Sequence, residues 1–373
     1  MPVRSRRVTQ DRASAQGPEG PGARAHHMVR EVAGGRWLVL GKDGRLSAYA
    51  LADEGMLRWT EERPGGSVWA GPELVPVPHL TSLTVAQGAD GFVHFVGRRA
   101  VEKHDGPPVV DLVTATQFQT GRPVTQWRPL GNPHKERPKA ALLGVPAAAV
   151  SETGTLHVFV RNEGGALLVR CERPDGKWEA WRDLKVRRVQ DGTATVTTAS
   201  GRVEVLVPGA GVTPRLSREP GGAYQQDQDI PFAHTPGSAV ALETAQDRVT
   251  YYWADDSTGG VVAYRPGTWA IPLGGSASTG TVAVLRTMLD GYDCTVLAHS
   301  AHDGQVMLTA CGTENEGGGV WWSPTGEYCT GGPALAYDAY GRVVLALIGK
   351  DGALHIARQN REPGLALDPS VRV

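Results

Sequence analysis

Seven copies of one short pattern, spaced almost evenly through 373 residues, constrain this chain more than any other feature it has. The pattern is a turn glycine followed by alternating apolar residues. It reads Gly44-Arg-Leu-Ser-Ala-Tyr, Gly91-Phe-Val-His-Phe-Val, Gly154-Thr-Leu-His-Val-Phe, Gly201-Arg-Val-Glu-Val-Leu and Gly341-Arg-Val-Val-Leu-Ala. Two copies, beginning at Asp247 and Cys294, keep the alternation without the glycine. Successive anchors lie 47, 63, 47, 46, 47 and 47 residues apart, so one insertion accounts for the single exception. Such self-similarity has to be read before any single element, because it decides the architecture.

The register within each copy is that of a strand. Leu46, Val93, Leu156, Val203, Val249, Val296 and Val343 stand two residues after their anchors. Ala48, Phe95, Val158, Val205, Tyr251, Ala298 and Leu345 stand four after. Period two marks a strand with a defined face, where a helix needs 3.6. A short apolar run precedes each anchor, and a second hairpin follows it. An aromatic often comes next, beside a Pro-Gly or Pro-Asp-Gly turn, as at Trp69, Trp178, Tyr224 and Trp269. Asp-Gly pairs at 43–44, 90–91, 175–176, 303–304 and 351–352 supply the positive φ that tight hairpins need.

Four short strands per unit of about 47 residues predict an all-β, seven-bladed β-propeller of four-stranded antiparallel blades. The reading gives residues 1–26 as a flexible Arg-, Gly- and Pro-rich tail and 27–373 as a single propeller, with the insertion at about 104–139. The last copy ends soon after Arg358 without an aromatic fourth strand, so His26–Val32 is expected to supply that strand from the N-terminus and close the ring. The alternative is that Gly364–Leu367 completes the blade from its own side.

Composition narrows the partners. A formal charge of −1 provides no general positive field for phosphate backbones, so nucleic acid is not expected. No run of eighteen apolar residues occurs, so no membrane span is expected. The N-terminus has no apolar core resembling a secretory signal, which reads as cytoplasmic or as export by a non-classical route. Cys171, Cys294, Cys311 and Cys329 do not have metal-ligand spacing. Cys294 and Cys311 flank a hairpin turn symmetrically, leaving a bridge or two buried thiols open.

Enzymes usually leave a local constellation, and the common ones are absent: no Gly-x-Ser-x-Gly, His-Glu-x-x-His, phosphate-loop or Ser-x-Asp-x-Gly-x-x-Trp motif occurs. His94, His157 and His299 recur near their anchors, but a ring separates such positions too far for one ion, so packing is expected of them. The acidic groups Asp255-Asp256 and Asp290 with Asp293 read as hairpin turns, although paired carboxylates facing a pocket would suit glycoside hydrolysis. Tryptophan points elsewhere. Ten tryptophans against five phenylalanines is a bias toward amphipathic aromatics, and an indole stacks on the C–H face of a sugar as readily as it wedges between sheets.

The fullest unit, from Gly154 through Leu167 to Trp178 and Trp181, resembles the bacterial PLL-like lectin propellers, and more distantly the tectonin-type repeats; the resemblance runs over roughly residues 30 to 360. It implies a seven-bladed propeller that binds sugars, fucose-type residues among them, in shallow pockets between blades. On that reading the ligand-binding candidates are Trp69, Trp127, Trp178, Trp181, Trp269 and Trp321, with Tyr224 a weaker match. No catalytic residue, metal or cofactor is expected. The partner is a glycan or small saccharide. Two other readings stand beside it: a scaffold with eroded sugar sites that binds a protein through the N-terminal tail or the 104–139 insertion, and an enzyme with its site at a mouth of the central channel.

Overall fold

The computed structural model describes residues 28–278 and 280–373, so the expected 1–26 tail lies outside the described residues. Seven antiparallel sheets follow one another along the chain, each contributing an inner, second, third and outer strand. In blade three these are Ala147–Val150, Leu156–Arg161, Leu167–Cys171 and Arg182–Asp183. In blade six they are Ala283–Leu289, Tyr292–Ser300, Gln305–Gly312 and Ser323–Tyr328. The chain is a seven-bladed β-propeller.

The turn before each second strand shows why the repeat is spaced as it is. Gly44, Gly91, Gly154, Gly201 and Gly341 have φ between 76° and 92°, and in blade five Asp247 takes the same role at 57°. Blade six differs. Its tight turn is Asp290-Gly291, and the Cys294 anchor lies inside the strand Tyr292–Ser300, so that hairpin is longer than its sequence copy suggests. The longer hairpin also settles the cysteines. Cys294 pairs across the ladder with Gly312, and Cys311 with Thr295. Alternation sends the two thiols to opposite faces, and all four cysteines are free. Burial pushes the Cys171 and Cys311 thiols up to about 11 and about 12.

All fourteen positions two and four residues after the anchors are buried. Period two nevertheless understates the burial. Every residue of Leu46–Ala52 is buried, because each second strand is covered by a neighbouring blade on both faces. Threonines of the inner strands tie adjacent blades: Thr84 Oγ1 donates to Pro146 O at 2.7 Å, Thr195 Oγ1 to Ala148 O at 2.6 Å and Thr197 Oγ1 to Val150 O at 2.7 Å.

The expected closure by an exchanged strand does not occur. Blade seven carries its own fourth strand, Val371–Arg372, paired with His355 and Ile356. Gly364–Leu367 belongs to the connection leading to it, held beside Gln359 and Asn360 by a Gln359–Leu367 bridge and an Asn360 N–H to Ala366 O hydrogen bond at 2.9 Å. Glu31–Val32 pairs instead with Ala50 and Leu51 of blade one. The reason is local: the inner strand Leu38–Leu40 covers only Leu46–Ala48, leaving the rest of a seven-residue second strand to be paired. Between these two pieces Gly34–Gly35 crosses to run parallel to Thr84–Val85 on the channel side of blade two. Only glycine fits there. Gly35 has φ +72°, and a Cβ on it would lie 2.3 Å from Val85 O. Blades seven, one and two share one apolar core, which closes the ring.

Residues 104–139, expected as an inserted loop, are folded onto blade two. They supply the end of a long hairpin, Val93–Lys103 with Gly106–Gln117, and run through Arg128–Pro129 into the short helix Arg137–Ala141. Leu130 is buried, and Asn132 Nδ2 donates to Val110 O and Ala140 O, each at 3.0 Å.

Candidate functional site

The structure divides the six candidate tryptophans into two groups. Trp69 and Trp127 pack against the core of blades seven, one and two. Trp178 and Trp181 pack against the core shared by blades two and three, with the Arg170 guanidinium 5.9 and 5.8 Å from their ring centroids. Tyr224 is also engaged: its ring meets Phe159 edge-on at 5.4 Å, and its hydroxyl is 2.6 Å from His157 Nδ1. These rings wedge between blades and pin outer strands. Trp269 and Trp321 do not; each is 89% exposed.

Trp321 stands at the rim of a cleft of about 590 Å³ between blades six and seven. One wall is the outer strand Ser323–Tyr328, with Pro324, Thr325 and Glu327; the other is Leu365, Leu367 and Asp368 from the long connection in blade seven. The position of Trp321 follows from its neighbour. Trp322 turns inward, donating Nε1–H to Leu273 O of blade five at 2.9 Å and meeting His299 edge-on at 4.5 Å. One indole of the pair is locked between blades, and the other, on the connection just before the outer strand, is left in solvent.

Glu327 also lines a second pocket of about 250 Å³ with Tyr328, Lys350, Asp351 and His355. Here the polar groups are fixed. Ser370 N–H donates to Glu327 Oε1 at 3.0 Å, and the Lys350 ammonium lies 4.7 Å from the Tyr328 ring centroid. Asp351 takes hydrogen bonds from Ala353 N–H at 3.1 Å, Arg372 Nε at 2.8 Å and His355 Nε2 at 3.1 Å. Against a desolvation penalty that would raise it, these donors hold the Asp351 carboxyl down to about 2. The whole cleft is therefore an aromatic platform at one end, an apolar and hydroxyl-bearing wall, and an ordered charged end. That is the composition that grips a sugar, whose apolar face and hydroxyls need different partners.

The charged end had no motif to announce it. Glu327 and Lys350–His355 come from different blades, and Asp351-Gly352 reads as a hairpin turn, which it also is. The acids singled out in the sequence are occupied elsewhere. Asp255 caps its own turn at Ser257 and Thr258, and Asp293 pairs with Arg286 at 2.6 Å. Among the described residues no three His, Cys, Asp or Glu side chains are grouped to hold a metal.

The buried histidines report on stability rather than on the site. Burial, with the Arg218 and Arg182 charges adding to it, pushes His157 down to about 4, and burial alone does the same to His234. Both are neutral in the fold but take up protons near the ordinary value of 6.5 once unfolded. Stability is then fully present above pH about 6.5 and falls toward pH about 4, by roughly 3 kcal/mol per histidine. His157→Gln keeps a partner for Tyr224 and is expected to flatten part of that slope in urea titrations between pH 7 and 4. An unchanged slope would contradict the assignment.

No protein-family model and no curated protein matches the chain. Solved structures do. An ulvan lyase, a polysaccharide lyase bound to -[GlcA(1-4)Rha3S]-, is similar with a TM-score of 0.54 and 11% identity over 92% of this chain and 94% of its own. The Hadza microbial sialidase Hz136 gives 0.50 at 12% identity, over 83% of this chain and 71% of its own. The lectin SapL1 in complex with α-methyl fucoside gives 0.47 at 11% identity, over 91% and 97%. At these identities what the chain shares with its neighbours is the propeller fold.

Proposed function

We propose that this chain is a carbohydrate-binding propeller whose site is the cleft between blades six and seven. The observation that carries the reading is Trp321, an indole left in solvent at the rim of a cleft whose far end holds fixed polar groups. An exposed indole offers a flat apolar face that a sugar can cover without a deep pocket. The ulvan lyase neighbour carries a saccharide on the same fold, which agrees with the reading although fold alone does not decide function. Recognition without turnover fits the charged end best, since Asp351 is committed to three donors.

The test is a glycan array with the purified protein, spanning α-methyl fucoside, fucosylated glycans and fragments of uronate-containing polysaccharides, followed by calorimetry and competition with the free monosaccharide. Saturable binding that the free sugar competes supports the proposal. A blank array across all classes overturns it and returns the weight to a protein-binding scaffold.

A further inference from the structure

Resting on the carbohydrate-binding reading, we propose that the ligand is an extended polysaccharide chain, held along a track from Trp269 on blade five past Trp321 and down the blade six–seven cleft to Lys350. Three observations point to a chain rather than a terminal sugar.

The first is length. The outer strand Ser323–Tyr328 forms one wall of the cleft from the Trp321 end to the Tyr328 end. The strand bulges at Gly326 and pairs with Gln305–Leu308, so the wall spans about 10 Å at about 3.3 Å per paired residue, longer than one sugar ring. The second is repetition. Trp269 and Trp321 each stand two residues before the outer strand of their blade, Ile271–Gly274 and Ser323–Tyr328, and the two are equally exposed. Both lie on the connection between third and outer strand, so topology puts them at the same end of adjacent blades. The two indoles stand on different blades, a step that a linear chain bridges and a single sugar ring does not. The third is rigidity. The Trp322 to Leu273 hydrogen bond joins the outer strand of blade six to that of blade five, so the two exposed indoles ride on strands bonded to each other. Platforms fixed in this way bind successive units of one chain with little further ordering cost.

The other tryptophans sharpen the point. Trp69, Trp127, Trp178 and Trp181 occupy comparable places in blades one to three but are packed into inter-blade cores. The ring offers solvent-facing indoles on consecutive blades at five and six, beside the cleft.

The experiment uses the full chain and two oligosaccharide ladders, fragments of -[GlcA(1-4)Rha3S]- chains and fragments of α-fucan, each of two, four, six and eight units, titrated by calorimetry. Affinity on the bound ladder is expected to climb at least about ten-fold from two to six units and then level off. Trp269→Ala is expected to remove most of that climb, so that six units bind little better than two, and Trp321→Ala to weaken binding on the order of thirty-fold at every length. Melting curves for both variants check that the fold is kept, as it should be for side chains this exposed. If affinity is flat with length, or Trp269→Ala leaves the climb intact, the chain-binding inference falls while the Trp321 site stands. If neither ladder and nothing on the array binds, both fall together.

Discussion

Trp321→Ala is expected to weaken saccharide binding by about 2 kcal/mol or more, on the order of thirty-fold in Kd, while leaving the melting temperature where it was. The two halves of that result follow from one fact. Trp321 is 89% exposed, so the fold loses almost nothing with it, and a surface truncation of this kind changes stability by no more than about 0.5 kcal/mol. The bound state loses its only large stacking surface at the cleft rim. The neighbouring residue gives the opposite pattern. Trp322 is wedged against His299 and bonded to Leu273 O, so Trp322→Ala should cost about 3 kcal/mol of stability. Its effect on binding should follow from loosening of the outer strand. Calorimetry and urea titration on the two variants separate a residue that touches ligand from one that holds the strand. If Trp321→Ala binds as well as the parent, the cleft is not where the sugar lies.

The contrast between two adjacent tryptophans shows what could and could not be read from the sequence. The ring was legible because it is periodic: a positive-φ turn, alternation after it and a return every 47 residues are local demands that every blade repeats. The site was half legible. Trp269 and Trp321 could be named, but so could Trp69, Trp127, Trp178 and Trp181, because an indole that wedges between blades and one that meets solvent sit beside the same kind of turn. What separates them is the facing blade, which has no sequence signature. The charged end was hidden for the same reason: Lys350, Asp351 and His355 meet Glu327 only after blade seven docks on blade six. Closure of the ring is not legible in the sequence, because a missing aromatic does not mean a missing strand. Val371–Arg372 pairs through its backbone and needs no aromatic to do so.

Because blade seven is complete in itself, no exchanged strand ties the last blade to the first, and the junction rests on packing, on a hydrogen bond from Arg342 Nη2 to Gly65 O at 3.1 Å and on a buried ion pair. Arg358 Nη2 of blade seven reaches Glu61 Oε1 of blade one at 2.6 Å. The other Glu61 oxygen accepts from Leu46 N–H at 3.0 Å and Gly65 N–H at 3.2 Å. The Glu61 side chain is wholly buried, and its charge is tolerated because it is paired and both oxygens accept hydrogen bonds. Other buried glutamates bind across other junctions: Glu204 meets Tyr251 between blades four and five, and Glu316 meets Arg265 and Tyr252 between blades six and five. Those junctions also have a continuous chain running through them; the junction of seven with one does not. Glu61→Gln removes the closer of the two carboxylates facing the Arg358 guanidinium, leaving Asp338 at 3.8 Å, and the expected cost is about 3 kcal/mol in urea unfolding. Asp293→Ala, which breaks the solvent-exposed pair with Arg286, should cost less than about 1 kcal/mol. Glu61→Met combined with Arg358→Leu should recover part of the loss, since no unpaired charge is left, but not all of it, since Leu46 and Gly65 still lack their acceptor. A Glu61→Gln variant no weaker than Asp293→Ala would mean that apolar packing between blades seven and one closes the ring unaided.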